Sequence, residues 1–339
     1  MTKVAVVILN FNGKSLLENF LPGVISNSKP LGEVYVADNA STDGSVEMLK
    51  SHFPEVKLIC NPTNGGFTTG YNLSLAQIEA EFYVLLNSDI EVSPGWIEPI
   101  VALMDKDTSI AACQPKILSH VSPEHFEYAG AGGGFIDRFG YPFCRGRIFN
   151  HLEKDFGQFD DIAEVFWASG ACMFVRADLY HRFGGLDDGF FAHMEEIDFC
   201  WRLKNNGYKI MYCGQSAVYH IGGGTLPKIS PRKTYYNFRN NLSLLFKNLP
   251  TQKLLPVIIT RLFLDGAASL KFLVQGGFAH FIAVFRAHMH FYRKIPSLYT
   301  RRKKLKQQQV SCVYKRNIAV EYFLLGKRKF SELHQHLFQ

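Results

Sequence analysis

Four clusters in this chain put carboxylates, amides or an imidazole where a strand should end or a helix begin. In YVLLNSD (83–89) an apolar run, Phe82 to Leu86, passes straight into Asn87, Ser88 and Asp89. Ligands of open parallel sheets bind at the carboxyl ends of strands, so this polar edge is a candidate site. The competing reading is a strand-to-helix turn that Ser88 or Asp89 merely caps. A carboxylate there, beside a diphosphate, is what a hard divalent cation such as Mg²⁺ or Mn²⁺ requires. VADNASTDGS (36–45) carries Asp38 to a second strand end. Its carboxylate can accept the imide proton of a uracil or thymine, or bind a ribose hydroxyl. Ser41, Thr42 and Asp43 read as a helix cap, with Glu47 in reach of a capping box.

The third cluster, HMEEIDFCWR (193–202), crowds Glu195, Glu196 and Asp198 into one helix start. Asp198 and Arg202 are i,i+4 partners, and Glu195 and Glu196 point about 100° apart. One glutamate can then serve as a base, and the helix macrodipole favours its ionised form. A solvated acidic first turn is the bland alternative. The apolar neighbours Phe190, Phe191, Met194, Ile197, Phe199 and Trp201 argue against it. The fourth is His220, at a strand end before Gly222, Gly223 and Gly224. A lone histidine is ordinarily a packed or capping residue, and becomes a ligand candidate only if a metal sits at Asp89.

The elements that must hold these groups follow from periodicity. Strand-like runs Val4–Leu9, Glu33–Ala37, Val56–Ile59 and Phe82–Leu86 alternate with helical patterns Lys14–Ser26, Ser45–His52, Thr68–Glu79 and Trp96–Met104. Repeated β-then-α order implies a mostly parallel central sheet flanked by helices. From Ala111 to Arg147 the pattern degrades, and the glycine and aromatic residues of Ala129 to Arg147 read as a long functional loop that shapes acceptor choice. GAGGG in that loop lacks the spacing and context of a dinucleotide fingerprint. Further on, Phe166–Val175 reads as a strand, Ala177–Phe183 as a short helix, and Glu195–Asn206 as a helix closed by Gly207. Lys209–Cys213 and Ala217–Tyr219 are short strands. From about Lys228 the chain is helical, aromatic and basic.

Composition narrows the classes. The 339 residues are 47% hydrophobic and 20% charged, enough for one large α/β domain with an appendage. Seven scattered cysteines without a CxxC pair indicate neither a disulfide framework nor a zinc knuckle, and a reducing, cytoplasmic setting fits. The apolar run Val4–Leu9 is too short for a signal peptide, and Phe272–Phe285 falls short of the roughly 20 residues of a membrane span. The net charge of +7 is concentrated: Gly266 to Val320 holds 11 Lys or Arg and no acid, leaving the remainder net negative. The tail, with RRKKLK (301–306), is therefore suited to lie on an anionic cytoplasmic leaflet. The alternative is packing on the domain, or on a second copy in a homodimer. Nucleic acid is set aside for want of a recognition motif.

Taken together and in order, the clusters resemble an inverting glycosyltransferase of family 2 with the GT-A fold, nearest its rhamnosyltransferase-like bacterial branch. VVILNFNG (6–13), VADNASTDGS, NGGFTTGYN (64–72), LLNSD (85–89), SGACMFVRADLYHRFGGLDDGFF (169–191), EEIDFCWRL (195–203) and YHIGGGT (219–225) carry it, over roughly residues 3–245. The resemblance implies a catalytic domain over 1–227, with a nucleotide half to about residue 110, and a helical basic region over 228–339. It implies that Asn10, Asp38, Asn64, Gly66, Asn72, Asn87, Ser88 and Asp89 line the donor pocket and that Asp89 and His220 hold a divalent cation. Glu196 takes the base position, with Glu195 and Asp198 beside it, and Trp167, Gly170, Ala171 and His193 face the acceptor. The donor would be a UDP- or dTDP-sugar, and the acceptor a glycan or lipid-linked saccharide of cell-surface polysaccharide biosynthesis. Two departures stand out: Asn87 replaces the first acid of the family's DxD-type motif, and Glu195–Glu196 replaces its Glu-Asp pair.

Two other classes compete. A sugar nucleotidyltransferase should carry a glycine-rich, arginine-containing loop after the first strand, where this chain reads NFNGKSLLENF. A catalytically weakened relative acting as an interaction protein is suggested only by Asn87.

Overall fold

The computed structural model describes residues 2–222 and 230–338. The expected boundary at 227/228, and Gly223, Gly224 and Thr225 of the last motif, lie outside them. The first four β–α repeats fold as the periodicity implies. Strands β1 (Thr2–Asn10), β2 (Gly32–Asp38), β3 (Lys57–Cys60) and β4 (Ala80–Asn87) alternate with helices α1 (Lys14–Ser28), α2 (Ser45–His52) and α3 (Gly66–Leu75). The short β5 (Ile90–Val92) and helix α4 (Glu98–Lys106) follow. β1 lies between β2 and β4, and β2 pairs with β3, all in parallel.

The next segment departs from expectation. The stretch read as a loop opens with β6 (Ile110–Ser119), a strand whose first nine residues are buried. Its apolar run is broken by Gln114 and Lys116, and both are satisfied inside: Gln114 Oε1 accepts from Ser169 N at 2.9 Å, and Lys116 Nζ donates to Asp155 at 2.7 Å. The glycine and aromatic stretch then builds β7 (Gly134–Asp137), β8 (Pro142–Cys144) and β9 (Arg147–Ile148), followed by β10 (His151–Leu152). Gly134 is obligatory there, since a Cβ would lie 2.1 Å from the Trp167 ring.

Of the expected strand Phe166–Val175 only the end is strand, within β12 (Cys172–Arg176); β11 (Ile162–Val165) precedes the expected range, and a turn separates the two. α5 (Ala177–Arg182), α6 (Glu195–Lys204) and β13 (Lys209–His220) follow, and Gly207 takes the left-handed φ of +89° after α6. β13 is continuous, with an irregularity between Cys213 and Ala217. The central sheet runs β11-β13-β6-β12-β4-β1-β2-β3. It is mixed, because β12 is antiparallel to both β4 and β6. Separate apolar cores fill its two faces.

The C-terminal region is not a loose appendage. α7 (Pro231–Asn248) packs on α6, and α8 (Thr251–Val274) and α9 (Phe278–Arg302) pack on α7 and on each other. β14 (Val313–Tyr314) joins the small sheet beside β7, followed by α10 (Ile318–Phe323), and the Phe330 and Phe338 rings pack tilted and edge-on against Phe135. The RRKKLK run is partly tied down: Arg301 pairs with Asp187, and buried Arg302 donates to Phe246 O at 2.8 Å. Among the described residues, no helix is long and apolar enough to cross a membrane.

Candidate active site

Strand register assembles the first part of the site. Asn10 stands beside Asp38, and Leu9 beside Asn87, so three strand tips meet at one edge. Asn10 Nδ2 donates to Asp38 Oδ1 at 2.9 Å, and Ser41 N donates to Asp38 Oδ2 at 2.9 Å. Asp38 is buried with both oxygens engaged, so its carboxylate organises the turn instead of standing open for a base. The unpartnered atom is Asn10 Oδ1. Gly13 must be glycine beside it: a Cβ would approach that oxygen to 2.6 Å, with Ser88 Oγ 3.7 Å away. Asp43 braces the same corner, accepting from Lys14 N at 2.8 Å and Ser45 N at 3.1 Å.

The NGGF turn closes one side. Exposed Asn64 accepts from Gly66 N at 2.9 Å, a local turn brace. Gly66 has φ of +75°, and a Cβ there would strike the Phe191 ring at 2.8 Å. Asn72 has a different task from the one expected. Its amide donates to Leu186 O (2.7 Å) and Asp188 Oδ1 (3.0 Å) and accepts from Tyr180 OH (2.7 Å) and Leu186 N (3.0 Å). All its hydrogen-bonding capacity clamps the loop after α5, leaving none for a ligand.

Asp89 and His220 do meet, with Asp89 Oδ1 3.1 Å from His220 Nε2. Asn87 Nδ2 lies 3.4 Å from the same nitrogen. The other ring nitrogen, Nδ1, is 3.0 Å from Glu127 Oε2, a partner with no local sequence signal. Burial opposes charge on this imidazole, but the hydrogen bonds to Asp89 and Glu127, and their charges, outweigh it and raise the pKa to about 9. Both carboxylates are correspondingly held below their usual range, against burial, by His220. Once His220 gives up its Nε2 proton, one carboxylate oxygen and that imidazole nitrogen would be a fitting partial donor set for a divalent cation. Among the described residues no group of three or more His, Cys, Asp or Glu side chains could hold one, so phosphate oxygens would have to complete the shell.

The loop before α6 is the third part. Phe191, His193 and Met194 all have positive φ, at 69°, 68° and 74°. Three such non-glycine residues in four store strain, which persists only where surroundings enforce it. The enforcement comes from α7: Asn240 Nδ2 donates to Ala192 O (2.8 Å) and His193 O (2.7 Å), and Arg239 Nη2 to Phe190 O (2.7 Å). Burial depresses the His193 pKa to about 4, aided by the Lys233 charge.

The three acids differ sharply. Asp198 is fully buried and bonded to Arg202 (2.9 Å), Lys247 (2.9 Å) and Asn248 (2.7 Å). It is a structural anchor for α6 and α7, not a reacting group. Glu195 is buried, and burial, the neighbouring Glu196 and Asp198 push its pKa well up. Glu196 stays half-buried, with its pKa raised by burial to about 7. Burial thus outweighs the macrodipole expected to keep these groups ionised. Glu195 Oε2, Glu196 Oε2 and His193 Nε2 are buried atoms without a partner among the described residues.

Gly170 lies against this acid: a Cβ would sit 3.8 Å from Glu196 Cβ and 3.1 Å from the Phe67 ring. Next to it, Ala171 O accepts from Asn87 N at 2.9 Å, which ties the Glu196 side to the Asp89 strand end. Ala171 itself is buried, as is Trp167, whose Nε1 donates to Phe135 O at 3.0 Å. Both belong to the core and present no side chain to an acceptor.

Comparison with known proteins bears on the family and the fold. A Mycobacterium tuberculosis N-acetylglucosaminyl-diphospho-decaprenol L-rhamnosyltransferase is 26% identical over 234 residues, 63% of this chain and 75% of that protein. Staphylococcus aureus TarS 1-349 in complex with UDP-GlcNAc superposes with a TM-score of 0.55 at 17% identity, covering 84% of this chain and 81% of that one. GalNAc-T7 with UDP, GalNAc and Mn²⁺ also gives 0.55, at 18% identity, over 75% of this chain and only 49% of that longer protein. These likenesses establish a GT-A-type fold. The description "Glycosyl transferase family 2" matches residues 5–180, more than half of the sequence, and the chain belongs to that family.

Proposed function

We propose that this enzyme transfers a sugar from a UDP- or dTDP-sugar, with inversion at the anomeric carbon, to a hydroxyl of a glycan or lipid-linked saccharide in cell-surface polysaccharide synthesis. The observation that carries the reading is Glu196: a half-buried carboxylate with an unpartnered oxygen and a pKa near 7, linked to the Asn87–Asp89 strand end through Gly170 and Ala171. A pKa near the working pH is what a general base needs. Glu196 accepts the proton of the acceptor hydroxyl as that oxygen bonds to the anomeric carbon, and the bond to the diphosphate breaks with its electron pair on the leaving oxygen. Gly170 leaves space beside the base, and the strained loop fixes its direction.

Asp89 and His220 would hold a divalent cation, which supplies charge neutralisation at the leaving diphosphate. The similarity to proteins that bind UDP with Mn²⁺, UDP-GlcNAc or a diphospho-decaprenol acceptor supports the choice of donor class, ion and acceptor. The free cysteines and the basic tail support a place at the cytoplasmic face of a membrane. Calorimetry with UDP, dTDP and GDP, with and without Mn²⁺, tests the donor side. One diphosphate should bind in a metal-dependent way, and Asp89→Ala should abolish that dependence. A folded protein that binds none of them would return the weight to an interaction role.

A further inference from the structure

Helix α8 is inside-out. Its polar residues Arg261, Asp265 and Ser269 are buried, at i, i+4 and i+8. Arg261 Nη1 donates to Phe139 O at 2.9 Å, and Asp265 accepts from Arg261 at 3.0 Å and from Tyr141 OH at 3.2 Å. The other side of the helix carries Leu255, Ile259, Phe263, Leu270 and Val274. At 100° per residue these fall in one stripe about 100° wide. All five are exposed, Phe263 at 75% and Val274 at 88%. Gly266 and Ala267 fill the middle of the face, so no charge interrupts it between Lys253 and Lys271. A helix in water shows the opposite arrangement, and an apolar face of this length marks an interaction surface.

The surroundings extend the patch. Lys271 Nζ lies 4.1 Å from the centre of the Phe323 ring, and Leu324 and Leu325 beyond it are exposed, followed by exposed Arg328 and Lys329. Across α8 and α9 the one acidic residue is Asp265, which is fully buried, while Lys253, Lys271, Arg286 and Arg293 are exposed. An apolar stripe framed by cations alone, too polar within to span, is complementary to an anionic lipid surface. The tip of the hairpin also sits beside the site. Thr234 Oγ1 is 2.8 Å from His280 Nδ1, and the preceding residue, Lys233, is the cation whose charge reaches His193.

We propose that the outward face of α8, with the Phe323–Leu325 corner, seats the enzyme on an anionic bilayer and brings the Glu196 site down to the lipid surface. This locates membrane contact on α8 and not on the RRKKLK run. It deepens the lipid-linked part of the proposed function and rests on that reading for its purpose.

The test is co-sedimentation of the full chain with vesicles of equal phosphatidylglycerol and phosphatidylcholine, against phosphatidylcholine alone, with sedimentation velocity in parallel. Wild type should partition onto the anionic vesicles, and the doubly substituted Phe263→Ser, Leu270→Ser protein should lose at least about tenfold in partitioning. Lys253→Glu with Lys271→Glu should weaken binding in a salt-dependent manner. Vesicle binding that is absent, or indifferent to the serine pair, would overturn the proposal. So would a wild-type dimer that the serine pair converts to monomer, since a second copy would then cover the face. Diphosphate calorimetry on the same proteins separates the cases: loss of donor binding in wild type sinks the enzymatic reading and leaves the vesicle result standing on its own.

Discussion

At the strand-end edge and on α3, Asp38 and Asn72 have their hydrogen-bonding groups answered by other residues of the chain, whereas at the start of α6 and in the loop before it Glu195, Glu196 and His193 each keep a buried atom with no partner among the described residues. The first region is a frame whose polar residues hold each other, and the exception is Asn10 Oδ1, which we propose as a donor contact. The second is a set of poised groups held in a strained backbone by Arg239 and Asn240 of α7. Frame and reacting groups are built from the same residue types. What separates them is whether their partners are already inside the protein.

The largest effect that sharpens this contrast is on Glu196. Glu196→Gln keeps the shape and removes the base, so transfer should fall by about 10²–10⁴-fold while calorimetric donor binding is unchanged. The frame should respond in stability instead. Lys247→Met leaves buried Asp198 and half-buried Asp187 short of a cation and should cost about 3–5 kcal/mol in urea unfolding, with α6 and the loop before it losing hydrogen-exchange protection. A smaller effect has the opposite sign. Glu195 has its carboxyl pKa raised in the folded state, so the folded protein prefers it protonated. Its penalty is absent below about pH 4.5 and grows as pH rises toward the folded pKa. Glu195→Gln should therefore raise Tm by a few degrees at pH 8 and leave it unchanged near pH 4.

Much of the frame was legible in the chain because its cues are local. Apolar runs ending in Asn10, Asp38 and Asn87 are strand tips, and Gly207 is a helix stop. β6 was hidden because Gln114 and Lys116 interrupt its apolar run, and their partners Ser169 and Asp155 are about 40 residues or more away. Glu127 was invisible for the same reason: only the fold brings it to His220, 93 residues on. The spacing of Asp198 and Arg202 announced their pairing, but not that Lys247 and Asn248 would bury it. Nor could sequence rank Glu195 against Glu196, since one residue along a helix decides which carboxyl is buried and which stays half-buried.

The measurement that bears most directly on this account is the pH dependence of kcat/KM, for wild type and Glu195→Gln. Glu195 and Cys200 are the titratable groups whose charges interact with Glu196, and burial pushes the Cys200 thiol up to about 12, out of the working range. The account predicts that activity rises with pH through an apparent pKa near 7 and that the rise survives in Glu195→Gln, since burial itself lifts Glu196. A profile flat from pH 5 to 9, or a rise that vanishes with Glu195, would contradict Glu196 as the base.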